Sequence, residues 1–170
     1  MVRIRPVTPG DEAAFTAAAR ASRRLHQPWV TAPCDADAFA RHLARFDGRA
    51  HHGFVVETDA GDLAGAIHLT NIVMGAFCSG YLGYYAFTGF EGRGLMTAGL
   101  NAVVRHAFSA LRLHRLEANI QPTNTASLAL ARRCGFEREG FSPRYLKIGG
   151  RWRDHERWAR IRGQTGQAAS

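Results

Sequence analysis

The pattern of hydrophobic and polar positions predicts a strand and then two helices in the first third of the chain. Apolar and basic residues alternate over residues 2–7, as they do in a half-buried strand. Thr8 and Pro9 then supply a capping hydroxyl and a proline at the first helical position. We expect five residues to form the buried stripe of this helix: Ala14, Phe15, Ala18, Ala19 and Leu25. After the breaks at Pro28 and Pro33, helical spacing of Phe39, Leu43 and Phe46 predicts a second helix that begins near Asp35 and ends at Gly48.

The rest of the pattern alternates between the periods of strands and helices. The predicted strands cover residues 53–58, 63–70, 81–87, 114–120, 136–148 and 152–161. The predicted helices cover residues 95–111 and 124–133. Each of the two late strand–helix–strand passages predicts parallel neighbouring strands joined by a crossover helix. The order β-α-α-β-β-β-α-β-α-β-β therefore predicts a single α/β domain with a mixed sheet over residues 1–162, and the polar tail 163–170 is expected to be disordered.

Composition narrows the class of protein only slightly. Hydrophobic residues make up 46% and charged residues 21% of the chain, which is typical of a globular domain. No apolar run is long enough for a membrane span or resembles a signal peptide, so we expect a cytoplasmic protein without membrane partners. The three cysteines are widely spaced and indicate neither a metal site nor a disulfide framework. The net charge of +8 fits either a solvated basic surface or an anionic partner.

The segment Glu91–Thr97 carries the first candidate chemistry. Gly92 and Gly94 lie between a predicted strand and a predicted helix, where they let the backbone approach a ligand closely. The free N–H groups and the positive end of the helix dipole favour an anion such as a pyrophosphate. A glycine turn before a helix is also common without any ligand, so this segment alone does not decide between the two readings.

A second segment, Asn124 to Ser127, starts the next predicted helix and is followed by Gly135 and Phe136. With Gly83-Tyr84 and the segment 92–97, this combination resembles the GNAT acetyltransferases. Residues 71–75, 81–84 and 152–155 resemble their ribosomal-protein-alanine branch, the RimJ and RimL type. The resemblance covers roughly residues 3–160. It implies a mostly antiparallel sheet with a central parallel strand pair, and acetyl-CoA as the cosubstrate.

The resemblance also implies which residues contact that cosubstrate. The expected contacts are Tyr84, Tyr85, Ala86, Phe87, Gly92, Arg93, Gly94, Leu95, Met96, Thr97, Asn124 and Ser127. In the family the strand backbone pairs with the pantetheine arm, and the glycine loop binds the pyrophosphate. Asn124 is expected to bind the pantetheine arm, and Ser127 to protonate the departing thiolate. Glu91 and Met96 depart from the family's loop pattern, and we expect the Glu91 side chain to point away from the phosphates.

The acid–base groups of the family are sparse in this chain. The tyrosine that many members use as the acid is replaced by Ala131, which leaves the role to Ser127 or to water. No Asp or Glu lies between residues 65 and 90, where the family carries its usual carboxylate, so Glu117 and His68 are the remaining candidate bases. An α-amine is roughly a tenth neutral at pH 7, whereas a lysine side chain is below about 0.1% neutral. A site without a strong base therefore suits an α-amine.

Three functions remain open from the sequence. The first is acetyl transfer from acetyl-CoA to an α-amine, in particular the N-terminal residue of a ribosomal protein, with ribosome association. The second keeps the enzyme but changes the acceptor to a small-molecule amine. The third is a ribosome- or nucleic-acid-binding module whose acetyl-CoA pocket is regulatory, which the charge of +8 suggests.

Overall fold

The computed structural model describes residues 2–164. Seven strands form one sheet: β1 (Val2–Pro6), β2 (His52–Thr58), β3 (Leu63–Val73), β4 (Ser79–Ala86), β5 (Arg115–Ile120), β6 (Glu137–Ile148) and β7 (Arg151–Ile161). Their order in the sheet is β1-β2-β3-β4-β5-β7-β6. Only β4 and β5 pair in parallel, and every other pair is antiparallel. The predicted α/β class, with its mixed sheet and central parallel pair, is confirmed.

Five helices cover the two faces of this sheet: α1 (Glu12–Ala21), α2 (Arg23–His26), α3 (Ala36–Leu43), α4 (Leu95–Ser109) and α5 (Thr125–Arg133). One hydrophobic cluster joins α4 and α5 to the sheet through residues such as Leu100, Leu128 and Leu82. A second cluster joins α1 and α3 to the opposite face through Phe15, Phe39 and Val55. Within residues 2–164, no helix has the length and apolar character that crossing a membrane requires. The two clusters show that each face of the sheet is covered by its own layer of helices.

The second predicted pair of parallel neighbours is wrong. The passage from β5 through α5 to β6 does run from one strand to another, but β6 does not pair with β5. β7 turns back from β6 and lies between them, antiparallel to both. The hairpin turn at Gly149 and Gly150 decides the strand order, because the returning strand takes the place beside β5.

The buried stripe of the first helix also differs from the expectation. Phe15 and Ala19 are buried, but Ala14 and Leu25 are exposed. The helix breaks between α1 and α2 at Ser22, and this break turns His26 toward the core. Ser22 Oγ donates to the Ala18 carbonyl (2.7 Å) and accepts from the Thr88 backbone N–H (2.9 Å). A buried hydroxyl thus ties this helical layer to the end of β4.

The sheet opens between β4 and β5. Their pairing ends at Leu82 and Ala118, although β4 continues to Ala86. β5 continues to Ile120, but there it pairs with β7. The last residues of β4 pair only with β3 on their other side. Beyond Leu82, the backbone of β4 that faces β5 has no strand partner among residues 2–164, and a wedge-shaped gap passes through the sheet.

Candidate active site

A cleft of about 900 Å³ occupies the gap between β4 and β5. Successive strand residues point to opposite faces, so the lining of the cleft comes from both sides of the sheet. Tyr84 and Ile120 belong to the face covered by α4 and α5. Tyr85 belongs to the face covered by α1 and α3. Two ligands can therefore enter from opposite faces and meet in the gap.

The start of α4 forms an anion site on the first of these faces. Gly92 (φ 69°) and Gly94 (φ 74°) adopt the left-handed conformation that glycine tolerates. No side chain caps the helix, and its first turn contains no acidic residue. The first intrahelical bond runs from the Ala98 N–H to the Gly94 carbonyl, 3.0 Å, so the N–H groups of residues 95–97 have no helical acceptor. Space around both glycines is open, because a Cβ built on either meets nothing within 4 Å. The residues present therefore fit a pyrophosphate.

Most of the residues expected to contact acetyl-CoA line this cleft. The lining includes Tyr84, Tyr85, Ala86, Gly92, Gly94, Leu95, Met96, Thr97, Asn124 and Ser127. Phe87 does not line it, because its side chain packs in the core against Phe15, with ring centroids 5.2 Å apart. Arg93 lies outside the lining as well, with its guanidinium over the Phe90 ring. Glu91 does line it, but its carboxylate accepts from the Gly89 backbone N–H within the same loop.

Ser127 is fixed by its backbone at the first turn of α5. Its N–H donates to Asn124 Oδ1 (3.2 Å), and its carbonyl accepts from the Tyr84 hydroxyl (3.1 Å). Burial raises the pKa of Tyr84, which keeps this phenol a neutral donor. Ala131, the position where many family members carry a tyrosine, is fully buried in the core. A hydroxyl from β4 thus packs against the start of α5, where Asn124 and Ser127 both line the cleft.

The opposite face of the cleft carries aromatic and histidine side chains. His26 Nε2 lies 2.8 Å from the Ala86 carbonyl oxygen, and since a carbonyl only accepts, this nitrogen carries the proton. Burial lowers the pKa of His26, and it lowers the pKa of His68 to about 3. Burial raises the pKa of the Tyr85 phenol. The His26 and Tyr85 rings meet edge to face with centroids 4.9 Å apart. At neutral pH these three side chains are all uncharged.

The two candidate bases named from the sequence have different positions. His68 lines the cleft, but its low pKa makes it a very weak proton acceptor. Glu117 is not among the lining residues, and its carboxylate accepts from Arg115 Nε at 2.8 Å. Arg115 also pairs with Glu139 on β6. The base role of Glu117 stays a prediction, and the ion pair gives this carboxylate a second, structural role between β5 and β6.

The cleft includes polar residues that the sequence analysis did not assign. His26, Asn119, Arg133 and His155 all line it. In the sequence, His155 belongs to the family-like segment 152–155 of the last strand, without an assigned role. Asn119 carries no signal beyond its place in a predicted strand. Strand alternation could have placed both on one face of the sheet, but only the insertion of β7 beside β5 brings the two strands together.

Comparison with known proteins agrees with this geometry. The acetyltransferase (GNAT) domain model matches residues 2–137. The chain belongs to this family. The α/β fold is the fold of this family, and GNAT enzymes use acetyl-CoA as their cosubstrate.

Three relatives illustrate the range of this family. The [ribosomal protein uS5]-alanine N-acetyltransferase of Escherichia coli is 38% identical over 64% of this chain and 56% of its own length. The chain thus spans little more than half of that enzyme. An L-methionine sulfoximine/L-methionine sulfone acetyltransferase of Pseudomonas paraeruginosa is 33% identical over 74% of each chain. The structure of Mycobacterium smegmatis RimJ in complex with CoA-disulfide superposes with a TM-score of 0.89 and 30% identity, over 98% of this chain and 85% of that one.

Proposed function

We propose that this protein transfers the acetyl group of acetyl-CoA to an α-amine, in particular the N-terminal amine of a protein such as a ribosomal protein. The observation that carries the proposal is the two-sided cleft. One face offers an uncapped helix start for a pyrophosphate, and the other offers uncharged aromatic and histidine side chains. Glu91 is the one carboxylate among the lining residues, and it lies in the glycine loop on the cofactor side.

The lack of an acceptor-side carboxylate determines which amine the site suits. An α-amine with a pKa near 7.8 loses its proton at a cost of about 1 kcal/mol at pH 7, whereas a lysine side chain costs more than about 4 kcal/mol. His26 and His68 on the acceptor side are weak bases with lowered pKa values. They are suited to an amine that is already partly neutral. A polycationic acceptor would also find no complementary negative charge among these lining residues.

The cofactor side supplies binding, orientation and a proton. The glycine loop and the first turn of α4 would hold the pyrophosphate, and the unpaired edge of β4 beyond Leu82 would pair with the extended pantetheine arm. The Asn124 side chain uses its oxygen as the helix cap, which leaves its amide N–H groups for the same arm. The Ser127 hydroxyl would deliver the proton that the departing thiolate requires. Bound acetyl-CoA supplies an activated acetyl thioester in the gap.

The side chains that line the acceptor side of the cleft are largely apolar and carry little charge. Leu25, Trp29 and Val30, from α2 and the segment after it, line the cleft beside His26. This wall accommodates a small uncharged first residue such as alanine or serine. The relationship to an E. coli enzyme named for an alanine acceptor supports the same class. The relationship to an amino-acid-analogue acetyltransferase supports a second candidate, a free small-molecule α-amine.

A competition experiment separates these acceptors. One peptide begins with a free alanine and contains no lysine; a matched peptide has an acetylated terminus and one internal lysine; methionine sulfone is the third acceptor. We expect kcat/KM at pH 7 to be at least tenfold higher for the free-alanine peptide than for the lysine peptide, because the neutral fractions differ by roughly a hundredfold or more. Faster transfer to lysine would refute the α-amine assignment. Transfer to methionine sulfone alone would favour the small-molecule acceptor.

A further inference from the structure

His155 lies on β7, at the acceptor side of the cleft. Strand alternation puts it on the same face as Arg157 and Ala159, opposite to the buried Trp158 that packs with the α4 and α5 layer. The residue is only 3% exposed, yet it lines the cleft. His155 is therefore a nearly buried residue at the edge of the cavity.

One hydrogen bond fixes the tautomer of this imidazole. His155 Nδ1 lies 2.9 Å from the Arg153 carbonyl oxygen. A carbonyl cannot donate, so Nδ1 carries the proton and Nε2 keeps its lone pair in the neutral ring. Burial lowers the pKa of His155, so the ring is neutral at physiological pH. The Tyr145 ring packs edge to face against it, with centroids 6.3 Å apart, and restricts its rotation.

Asn119 provides an independent second observation. It stands opposite Arg157 in the pairing of β5 with β7, so it is a diagonal neighbour of His155 on the same face. Its Oδ1 atom is buried and has no hydrogen-bond partner within residues 2–164. A buried carbonyl oxygen without a partner costs free energy, so it is a group that a bound donor would satisfy. Asn119 also lines the cleft.

The other ionisable groups of the cleft suit the proton transfer less well. The His26 Nε2 proton is held by the Ala86 carbonyl, at the end of β4 away from the pairing with β5. His68 has a pKa of about 3, and burial raises the pKa values of Tyr84 and Tyr85. Glu91 belongs to the glycine loop. His155 remains the neutral base beside the point where the strands separate.

We propose that His155 is the proton acceptor of the acetyl transfer and that Asn119 Oδ1 positions the attacking amine. An N–H of the neutral amine donates to Asn119 Oδ1. The amine nitrogen bonds to the carbonyl carbon of the acetyl thioester as the carbon–sulfur bond breaks and its electron pair goes to sulfur. The surplus proton on nitrogen moves to His155 Nε2 and later to solvent. The thiolate takes a proton from solvent water, either directly or through the Ser127 hydroxyl, which regains its own proton from that water. The inference rests on the acetyl transfer proposed above, but it holds for any amine.

The test of the base compares His155→Gln and His155→Ala with the unaltered protein and with His114→Gln. His114 is exposed and precedes the first residue of β5, at the end of that strand away from Asn119, so its change should leave kcat unchanged. For His155→Gln we expect kcat to fall at least a hundredfold, as loss of a general base does, while calorimetry shows the same affinity for CoA. Added imidazole should restore at least a tenth of the lost rate to His155→Ala, because the cavity then accepts the missing base.

The outcomes separate the inference from the proposed function. If the unaltered protein acetylates no amine, the proposed function fails. If it is active and His155→Gln keeps more than a third of kcat, the base assignment is wrong. A large loss that imidazole does not restore also contradicts the assignment, because it indicates a structural role.

Asn119 gives a second test that does not depend on the folding of the His155 variants. Asn119→Leu should raise KM for the acceptor at least fivefold without changing CoA affinity, because the amine loses its hydrogen-bond acceptor. Asn119→Asp keeps an acceptor oxygen and should recover part of that loss. An unchanged KM in Asn119→Leu, or equal losses in both variants, would overturn the positioning role.

Discussion

At the scale of single residues, the hydroxyl of Ser127 is the clearest candidate for a proton donor. Its backbone is held by Asn124 on one side and by Tyr84 on the other, so removal of the hydroxyl should leave the local structure intact. We expect Ser127→Ala to lower kcat about tenfold or more and to change CoA affinity less than twofold, because proton delivery matters only as the thiolate leaves.

Steady-state kinetics together with calorimetry measure the two quantities. Ser109→Ala is the matched control, because this helical serine is exposed and its hydroxyl donates to the Arg105 carbonyl of its own helix. Full turnover in Ser127→Ala would assign the proton to water.

At the scale of elements, the open start of α4 is the proposed site of the CoA pyrophosphate. A valine at position 94 must adopt φ near 74°, which β-branched residues strongly disfavour, and its side chain would occupy the open space in front of the helix. We therefore expect Gly94→Val to weaken CoA binding at least tenfold.

The control for this prediction is Gly61→Val in the turn between β2 and β3. Gly61 has φ 88° and is equally uncrowded, so this change carries a similar backbone strain outside the cleft. Both variants should lose thermal stability, but only Gly94→Val should lose affinity in calorimetry. Equal affinities would place the pyrophosphate elsewhere.

At the scale of the whole molecule, buried histidines make the fold sensitive to acid. His42 and His68 pack against each other in the core, with ring centroids 4.8 Å apart, and burial lowers their pKa values to about 4 and about 3. In the unfolded chain both would titrate near 6.5. As the pH falls below 6.5, the unfolded chain therefore binds protons that the native protein does not, and the free energy of unfolding decreases toward pH 3.

Denaturant unfolding between pH 7 and pH 4.5 measures this effect before most carboxylates titrate. Each unit of pKa difference corresponds to about 1.4 kcal/mol. We expect His68→Leu to reduce the slope of stability against pH in this range. An unaltered slope in His68→Leu would show that His68 is not buried in its neutral form.

Most elements of this fold can be predicted from the sequence. The strands and the two late helices were predicted to within a few residues, because each follows a local period of hydrophobic positions. The first two helices differ more. The second ends at Leu43 rather than at Gly48, and in the first the buried hydroxyl of Ser22 redirects the chain and brings His26 inward. A serine in a helical pattern looks like a surface residue, so its contact with Thr88 could not be predicted from local spacing. Residues 165–170 of the predicted disordered tail lie outside the described residues.

By itself, the sequence determined the elements, the glycine-rich start of α4 and the helix cap at Asn124, since the residues that specify each of these are close together along the chain. Only the tertiary structure decided that β7 inserts beside β5, that the sheet separates beyond Leu82, and that Asn119 and His155 share one face of the gap. The physical reason is that strand order and pairing register depend on contacts between distant segments, which compete through the packing of the whole sheet. The cofactor side of this site is local in sequence, and the acceptor side is assembled by the fold.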